Sequence, residues 1–305
     1  MAAITANRAY LDVMKAYSTH IAPYAPWTDR RGVLSWFRLC VFVALLAPAA
    51  MIFFDLAFGP IRPEPYENAL HESGEWAVRF LLVSLAITPL REIFRWGKLI
   101  GVRRMIGVSV LAYTLVHLGL YMAQENGDLG KVVSEIAFRF YLTIGFVGLV
   151  GLVILGATSF DSAIRRLGRN WNRLHALVYP IGILALWHFF LQSKSDVTVP
   201  TVMAGLFALL MMYRMARRVG FTLANPAVLA MCAALGAGAT AAVEYAWYAL
   251  ATGIPAALVF QANFDLAVSI RPAVWIGLVG LGVSVLAGGR MLWTLGQERS
   301  ARIGA

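Results

Sequence analysis

The sequence predicts an all-α protein, a polytopic bundle of membrane-spanning helices. Its 305 residues are 60% hydrophobic and only 14% charged, which is more apolar surface than a soluble domain of this size buries. Several apolar runs are long enough to cross a hydrocarbon core about 30 Å thick, for which about 20 helical residues suffice. The net charge of +10 is concentrated in short segments between these runs, where basic residues orient a membrane protein. The pattern therefore favours contact with membrane lipid and disfavours binding to nucleic acid.

Eight spans are predicted from these apolar runs. Because helices satisfy their own backbone groups in lipid, runs of this length predict helices. Their approximate bounds are 33–58, 76–90, 105–122, 140–157, 174–191, 199–215, 226–251 and 272–295. The chain then divides into a cytoplasmic N-terminal segment (1–32), a six-helix transmembrane core (33–218) and a C-terminal extension with two transmembrane helices (219–305).

Charged residues give the predicted orientation. Basic residues follow the second, fourth and sixth spans, whereas glutamates follow the first span. By the positive-inside rule both termini are expected in the cytoplasm, so the third and fifth spans run outward. His117, late in the third span, and His188, late in the fifth, are then near the outer face, while His175 is near the inner face.

His117 and His188 are the strongest candidates for a functional site. An ionisable side chain inside a membrane span is costly, which makes it a candidate for function. A six-coordinate haem held between two helices needs one imidazole from each helix at the same depth, and these two histidines meet that condition. The alternative is two unrelated polar residues, each hydrogen-bonded to a neighbouring helix. We predict a haem between His117 and His188.

His175 has no evident partner of the same kind. It precedes His188 by 13 residues, or about 19 Å of helix, and the residue at its depth on the third span is Arg104. An arginine does not bind iron, but it pairs with a haem propionate or an anionic head group. A haem at the inner face would be five-coordinate, share a ligand or be absent. The other interpretations of His175 are a quinone or flavin site, or an interfacial histidine bonded to the basic loop.

Arg79 and Arg139 are candidate partners for haem propionates. Both are predicted near the outer ends of helices, where the propionates of a haem between His117 and His188 would need cations. The alternative is that both side chains extend to lipid head groups.

Glycines recur at helical spacing in two spans. Gly145, Gly148 and Gly151 lie in the fourth span, and Gly277 and Gly280 lie in the eighth. Small residues at such spacing predict close packing between membrane helices.

Short motifs spread over residues 59–218 resemble one known family. The motifs are Gly74-Glu75-Trp76-Ala77, Ile87-Thr88-Pro89-Leu90, Arg103-Arg104-Met105-Ile106-Gly107, Tyr113 through His117 to Tyr121, Thr158-Ser159, Arg166-Leu167-Gly168, Trp171, Leu174-His175, Tyr179 and His188-Phe189. In these motifs the chain is similar to MsrQ, formerly YedZ, the haem-binding membrane subunit of a bacterial protein-methionine-sulfoxide reductase, in the ferric-reductase-like transmembrane superfamily.

The resemblance implies an electron-transfer subunit of an oxidoreductase complex in the bacterial inner (cytoplasmic) membrane. It implies one or two b-type haems (heme b), with His117, His175 and His188 matching the three important histidines of the family, and it leaves open a bound FMN. Electrons would come from the quinone pool or from a cytosolic flavin reductase. They would pass to a periplasmic molybdopterin methionine sulfoxide reductase subunit of the MsrP type.

The chain departs from the family pattern in two ways. Phe140 and Phe189 stand where the family more often has proline and tyrosine, and the last two spans extend a family that usually ends after six. The extension would bind another subunit or close a cofactor site. Two other functions remain as alternatives: a stand-alone ferric-reductase-like protein with another acceptor, and a non-haem transporter or scaffold.

Overall fold

The protein is a bundle of α-helices, which confirms the predicted fold class. The computed structural model describes residues 25–29, 32–60, 63–193, 196–265 and 269–303, so most of the predicted N-terminal segment 1–32 lies outside the described residues. Within this part, an isolated antiparallel bridge between Thr28 and Leu34 is the only β-type pairing. The secondary structure is otherwise helical.

The region predicted as the transmembrane core contains nine α-helices among the described residues. They are α1 (Trp36–Phe58), α2 (Glu67–Ile93), α3 (Arg103–Gln124), α4 (Leu129–Phe138), α5 (Phe140–Ala157), α6 (Asp161–Leu167), α7 (Arg169–His175), α8 (Val178–Gln192) and α9 (Thr198–Arg218). A 3₁₀ turn, Gly97–Gly101, joins α2 to α3. The C-terminal extension adds α10 (Pro226–Ala251), α11 (Ala256–Gln261), a 3₁₀ turn (Ala262–Phe264) and α12 (Pro272–Ile303).

Seven stretches of the described residues are long and apolar enough to cross a membrane: α1, α3, α5, α7 together with α8, α9, α10 and α12. The second predicted span is different, because α2 begins at Glu67 rather than near residue 76 and carries Glu75 and Arg79 along its length. It packs against α1, α3, α8 and α9. Since other helices cover much of α2, it does not need the apolar surface that a lipid-facing helix needs.

Tyr113 of α3 is inserted into the hydrogen-bond ladder of α1 beside Pro48. Its hydroxyl donates to the carbonyl of Leu45 and accepts from the backbone N–H of Ala49, both at 2.8 Å. These two groups would bond each other in an uninterrupted helix. Inserted side chains and prolines are the usual causes of helix kinks, and in lipid the freed backbone groups need such partners. Tyr113 therefore fixes α1 to α3 one turn before His117.

Arg214 of α9 plays a similar part at Pro89 in α2. Proline has no N–H, so the carbonyl of Leu85, four residues earlier, lacks its helical donor. Arg214 Nη2 donates to that carbonyl at 2.6 Å, and its Nε donates to the hydroxyl of Tyr179 at 3.0 Å. One guanidinium group thus joins α2, α8 and α9 at the level of the proline.

We expect Tyr113→Phe to destabilise the protein by about 1–3 kcal/mol, because it leaves the Leu45 carbonyl and the Ala49 N–H without their partner. Thermal unfolding of the purified protein in detergent measures the change. Tyr248→Phe is the control, since the Tyr248 hydroxyl makes no hydrogen bond with the described residues. Equal unfolding temperatures for the two variants would contradict this role of Tyr113.

The C-terminal extension packs on α9 with helix backbones in close contact. A Cβ atom at Gly205 of α9 would lie 2.5 Å from Ile276 of α12 and 2.5 Å from the hydroxyl of Thr240 in α10. A Cβ atom at Gly280 would lie 2.5 Å from the Cβ of Ala233. Small residues permit this close approach between membrane helices. The predicted packing role thus fits Gly280, whereas Gly277 makes only an ordinary contact, 3.6 Å from Ala237.

Candidate functional site

A cavity of about 480 Å³ lies between α2, α3, α5 and α8, and it contains both His117 and His188. The structure therefore brings together the two histidines that were predicted at equal depth. Their ring centroids are 6.3 Å apart, and the ring planes are at 89° to each other. We call this space the paired-histidine cavity, and the end of the bundle where it lies the paired-histidine end.

Each imidazole is held by a backbone carbonyl of a neighbouring helix. His117 Nδ1 is 2.8 Å from the carbonyl oxygen of Leu70 in α2, and His188 Nδ1 is 2.8 Å from that of Tyr141 in α5. A carbonyl oxygen only accepts, so each Nδ1 carries the proton and donates it. In neutral imidazole the other nitrogen, Nε2, then has a free lone pair. This is the arrangement that metal-binding histidines generally have.

The separation of the rings fits a metal ion bound between them. Two ligand bonds of about 2 Å, plus about 1 Å from each nitrogen to its ring centre, put the centres of two axial imidazoles about 6 Å apart. The observed value is 6.3 Å. Two histidines alone do not complete the coordination of a bare metal ion. Among the described residues no group of three or more His, Cys, Asp or Glu side chains could hold one. Haem supplies four further nitrogen ligands itself, so the donor set fits haem.

The cavity is apolar inside and polar at its mouth. Leu149, Leu152 and Ile181 line the inner part. The mouth is lined by polar side chains from the first turns of α2, the end of α8 and the connection to α9: Glu67, His71, Glu75, Gln192, Ser193 and Asp196. Such a cavity fits a flat apolar ligand with one polar edge.

Asp196 keeps a negative charge at this mouth. Hydrogen bonds from the hydroxyl and the backbone N–H of Thr198 lower the pKa of Asp196 below its usual value, and Arg271 of the C-terminal extension acts in the same direction. The carboxylate is therefore ionised at neutral pH.

The three arginines proposed from sequence lie outside the lining of the cavity. Arg79 pairs with Glu75 at 2.5 Å, and Arg139 pairs with Glu135 at 2.8 Å, each one helical turn earlier. Arg104 pairs with Asp161 at 2.6 Å, at the opposite end of the bundle. No lysine or arginine is among the described residues that line the cavity.

His175 lies at that opposite end, apart from the histidine pair. Its Nε2 is 3.1 Å from the hydroxyl of Thr158, and its ring stacks on Trp171 with centroids 4.0 Å apart. The indole N–H of Trp171 donates to the carbonyl of Thr158 at 2.9 Å. We call this end the His175 end.

Comparison with known proteins places the chain in a family. The family model "Ferric reductase like transmembrane component" matches residues 73–186. The curated protein-methionine-sulfoxide reductase heme-binding subunit MsrQ of Xanthomonas campestris pv. campestris (strain B100) is 39% identical over 188 residues, which cover 59% of this chain and 86% of that protein. The chain belongs to the MsrQ family.

Other MsrQ proteins show the same extent of similarity. MsrQ of Xanthomonas euvesicatoria pv. vesicatoria (strain 85-10) is 40% identical over 58% of this chain and 84% of its own length. MsrQ of Rhodospirillum rubrum is 36% identical over 61% of this chain and 88% of its own length. About two fifths of the present chain is therefore outside these alignments. No solved structure matches the chain.

Three glycines line the cavity, and the match to the MsrQ family did not indicate that they lie there. A Cβ atom at Gly74 would lie 3.0 Å from His117 Nδ1, and one at Gly145 would lie 2.9 Å from His188 Nδ1. Gly148 also lines the cavity, but a Cβ atom there would meet no atom within 4 Å. In the sequence, the spacing of the glycines in α5 predicted only close packing between helices. Only the structure shows which of these residues contacts a histidine.

Proposed function

We propose that this protein is a membrane b-type cytochrome, the electron-transfer subunit of a methionine sulfoxide reductase. His117 and His188 would hold one haem in the paired-histidine cavity. When bound, the haem iron accepts and releases one electron at a time. The reduction of a substrate takes place on another subunit.

One observation carries the proposal: the two imidazoles lie 6.3 Å apart with both Nδ1 atoms donating to backbone carbonyls. This arrangement fixes the tautomer and leaves Nε2 of each ring available as a ligand. The name of the MsrQ relatives, heme-binding subunit, supports the same cofactor. Hydrogen bonds to the ligands and burial of the site are the means by which the protein sets the redox potential.

The residues of the cavity have separate tasks in this proposal. His117 and His188 would hold the iron, and the carbonyls of Leu70 and Tyr141 keep their rings in position. The apolar lining would exclude water from the iron. At the polar mouth, His71 is the candidate partner for a propionate, since Arg79 and Arg139 are paired with glutamates and lie outside the lining.

The electron path is proposed from the two ends of the bundle. The paired-histidine end would face the periplasm, and an MsrP-type molybdopterin subunit would take electrons there. The His175 end would face the cytoplasm, with both termini on that side of the inner membrane. A quinone or a cytosolic flavin reductase would donate electrons at this end, through His175 and, if bound, FMN. The basic residues after the second, fourth and sixth spans support this orientation.

A reduced-minus-oxidised absorption spectrum of the purified protein tests the cofactor. We expect a b-type α band and at least one haem per polypeptide. A ratio of two would assign a second haem to the His175 end, whereas a ratio of one leaves the paired-histidine cavity as the site. Folded protein without an α band would contradict the proposed function. Co-purification with a methionine sulfoxide reductase catalytic subunit tests the partner.

A further inference from the structure

We propose that Gly148 is the position at which α5 leaves room for the haem, and that Gly74 and Gly145 make room for the ligand rings. The proposal rests on the function proposed above. It assigns different tasks to three glycines that the sequence alone does not distinguish. Two of them make room for a histidine ring, and the third makes room for the cofactor.

Gly74 and Gly145 allow the two imidazoles to lie directly against helix backbones. A Cβ atom at Gly145 would be 2.9 Å from both Nδ1 and Cε1 of His188, and one at Gly74 would be 3.0 Å from the same atoms of His117. Contacts this short require the ring to move. A shift of the ring would also disturb its hydrogen bond to Tyr141 or Leu70, since the same Nδ1 makes that bond.

Gly148 has a different environment, although it lies one turn from Gly145 on the same face of α5. It is buried and lines the paired-histidine cavity. Nevertheless no atom of a neighbouring helix lies within 4 Å of a Cβ atom built on it, so no side chain of those helices has taken the space. In closely packed helices a glycine normally admits a neighbouring side chain, as Gly151 does for Ile181 at 2.7 Å.

The other three helices repeat this pattern at the same level. Small residues of α2, α3 and α8 line the cavity one turn from the ligand level, toward the His175 end: Ala77, Thr114 and Ala185. Thr114 and Ala185 each lie three residues before a histidine, and Ala77 lies three residues after Gly74. Each of the four helices thus has a small residue in the cavity lining one turn from the ligand level, a pattern that favours a flat macrocycle between the histidines.

The test compares Gly148→Ala and Gly148→Leu with the same changes at Gly119. Gly119 lies on α3, two residues from His117, is exposed, and has no atom within 4 Å of a built Cβ. Alanine favours helix more than glycine does, so both alanine variants should unfold at the wild-type temperature or higher when haem is removed. Haem per polypeptide and the affinity of the haem-free protein for added hemin are then measured in detergent.

We expect weaker hemin binding at Gly148 and no change at Gly119. Gly148→Leu should bind hemin about tenfold more weakly or worse, and Gly148→Ala should be intermediate, because the added atoms overfill a site with little spare room. The Gly119 variants should bind as wild type. Wild-type haem binding by Gly148→Leu would overturn this inference and leave the proposed function intact, whereas absence of haem from the wild-type protein would contradict the proposed function itself.

Gly145→Ala supplies a second, independent measurement. Because its Cβ would displace the ring of His188, we expect an altered low-spin signal in electron paramagnetic resonance and a lower haem content. Gly148→Ala should lower haem content while the remaining signal keeps its bis-histidine character. If Gly145→Ala and Gly148→Ala gave the same spectra and the same haem content, the separate tasks assigned to the two glycines would be wrong.

Discussion

His117→Ala and His188→Ala are each expected to abolish binding of the haem proposed for the paired-histidine cavity. Each change removes one of two rings that lie 6.3 Å apart, so only one of the two proposed ligands remains. Leu115 lies on α3 two residues from His117, is exposed and does not line the cavity, so Leu115→Ala is the matched control and should retain the haem. The absorption spectrum and the ratio of haem to polypeptide report the result.

The histidine at the other end provides the contrasting case. His175 bonds Thr158 and stacks on Trp171, away from the cavity, so His175→Ala should leave part of the spectrum. Added imidazole should restore an α band to His117→Ala, since the alanine variant has space for a free ligand. Equal and total loss of haem in all three alanine variants would contradict the assignment of His117 and His188 to one site and His175 to another.

Arg271→Met is expected to cause the largest loss of stability among single changes in the C-terminal extension. Arg271 Nη2 is 2.6 Å from Glu244 Oε1, and only 2% of the Glu244 side chain is exposed. Removing one partner of a buried ion pair leaves the other charge without compensation, which costs about 3–5 kcal/mol. Unfolding of the purified protein in a detergent series, followed by far-UV circular dichroism, measures the difference.

Two controls separate the ion pair from a general effect of the substitution. Arg217→Met removes a partly exposed pair with Glu92 and should cost at most about 1 kcal/mol. The double variant Glu244→Gln with Arg271→Met should be more stable than Arg271→Met alone, because no unpaired charge remains in the bundle. Equal losses in Arg271→Met and Arg217→Met would show that Glu244 does not depend on the pair.

Hydropathy predicted the bounds of helices well where the helix faces lipid. It predicted them less well where the helix is covered by other helices. The bounds predicted for α5 and α10 agree with the structure, because α5 has no charged residue and α10 has only Glu244, and Pro226 marks the start of α10. The start of α2 was placed too late. Its first turns are polar, and they form a helix because α3 packs against them, which a hydropathy profile does not register.

At the site, too, features within one helix were predictable from the sequence, whereas contacts between helices were not. The orientation of the spans and the late position of each histidine in its span were sufficient to predict one depth for His117 and His188, but the carbonyls of Leu70 and Tyr141 come from helices whose packing the sequence does not specify. The pairing of the two arginines was visible in the sequence. Glu75 precedes Arg79 by four residues and Glu135 precedes Arg139 by four, a spacing that favours ion pairs within a helix.

The contact of Tyr113 with α1 bears on how the protein can be shortened. The first span contributes no residue to the lining of the paired-histidine cavity among the described residues, so it resembles a dispensable membrane anchor. Yet its backbone is the partner of a side chain on the helix that carries His117. A fragment that starts after residue 58 would leave that hydroxyl facing hydrocarbon. Minimal versions of this protein for expression or engineering therefore need to retain α1.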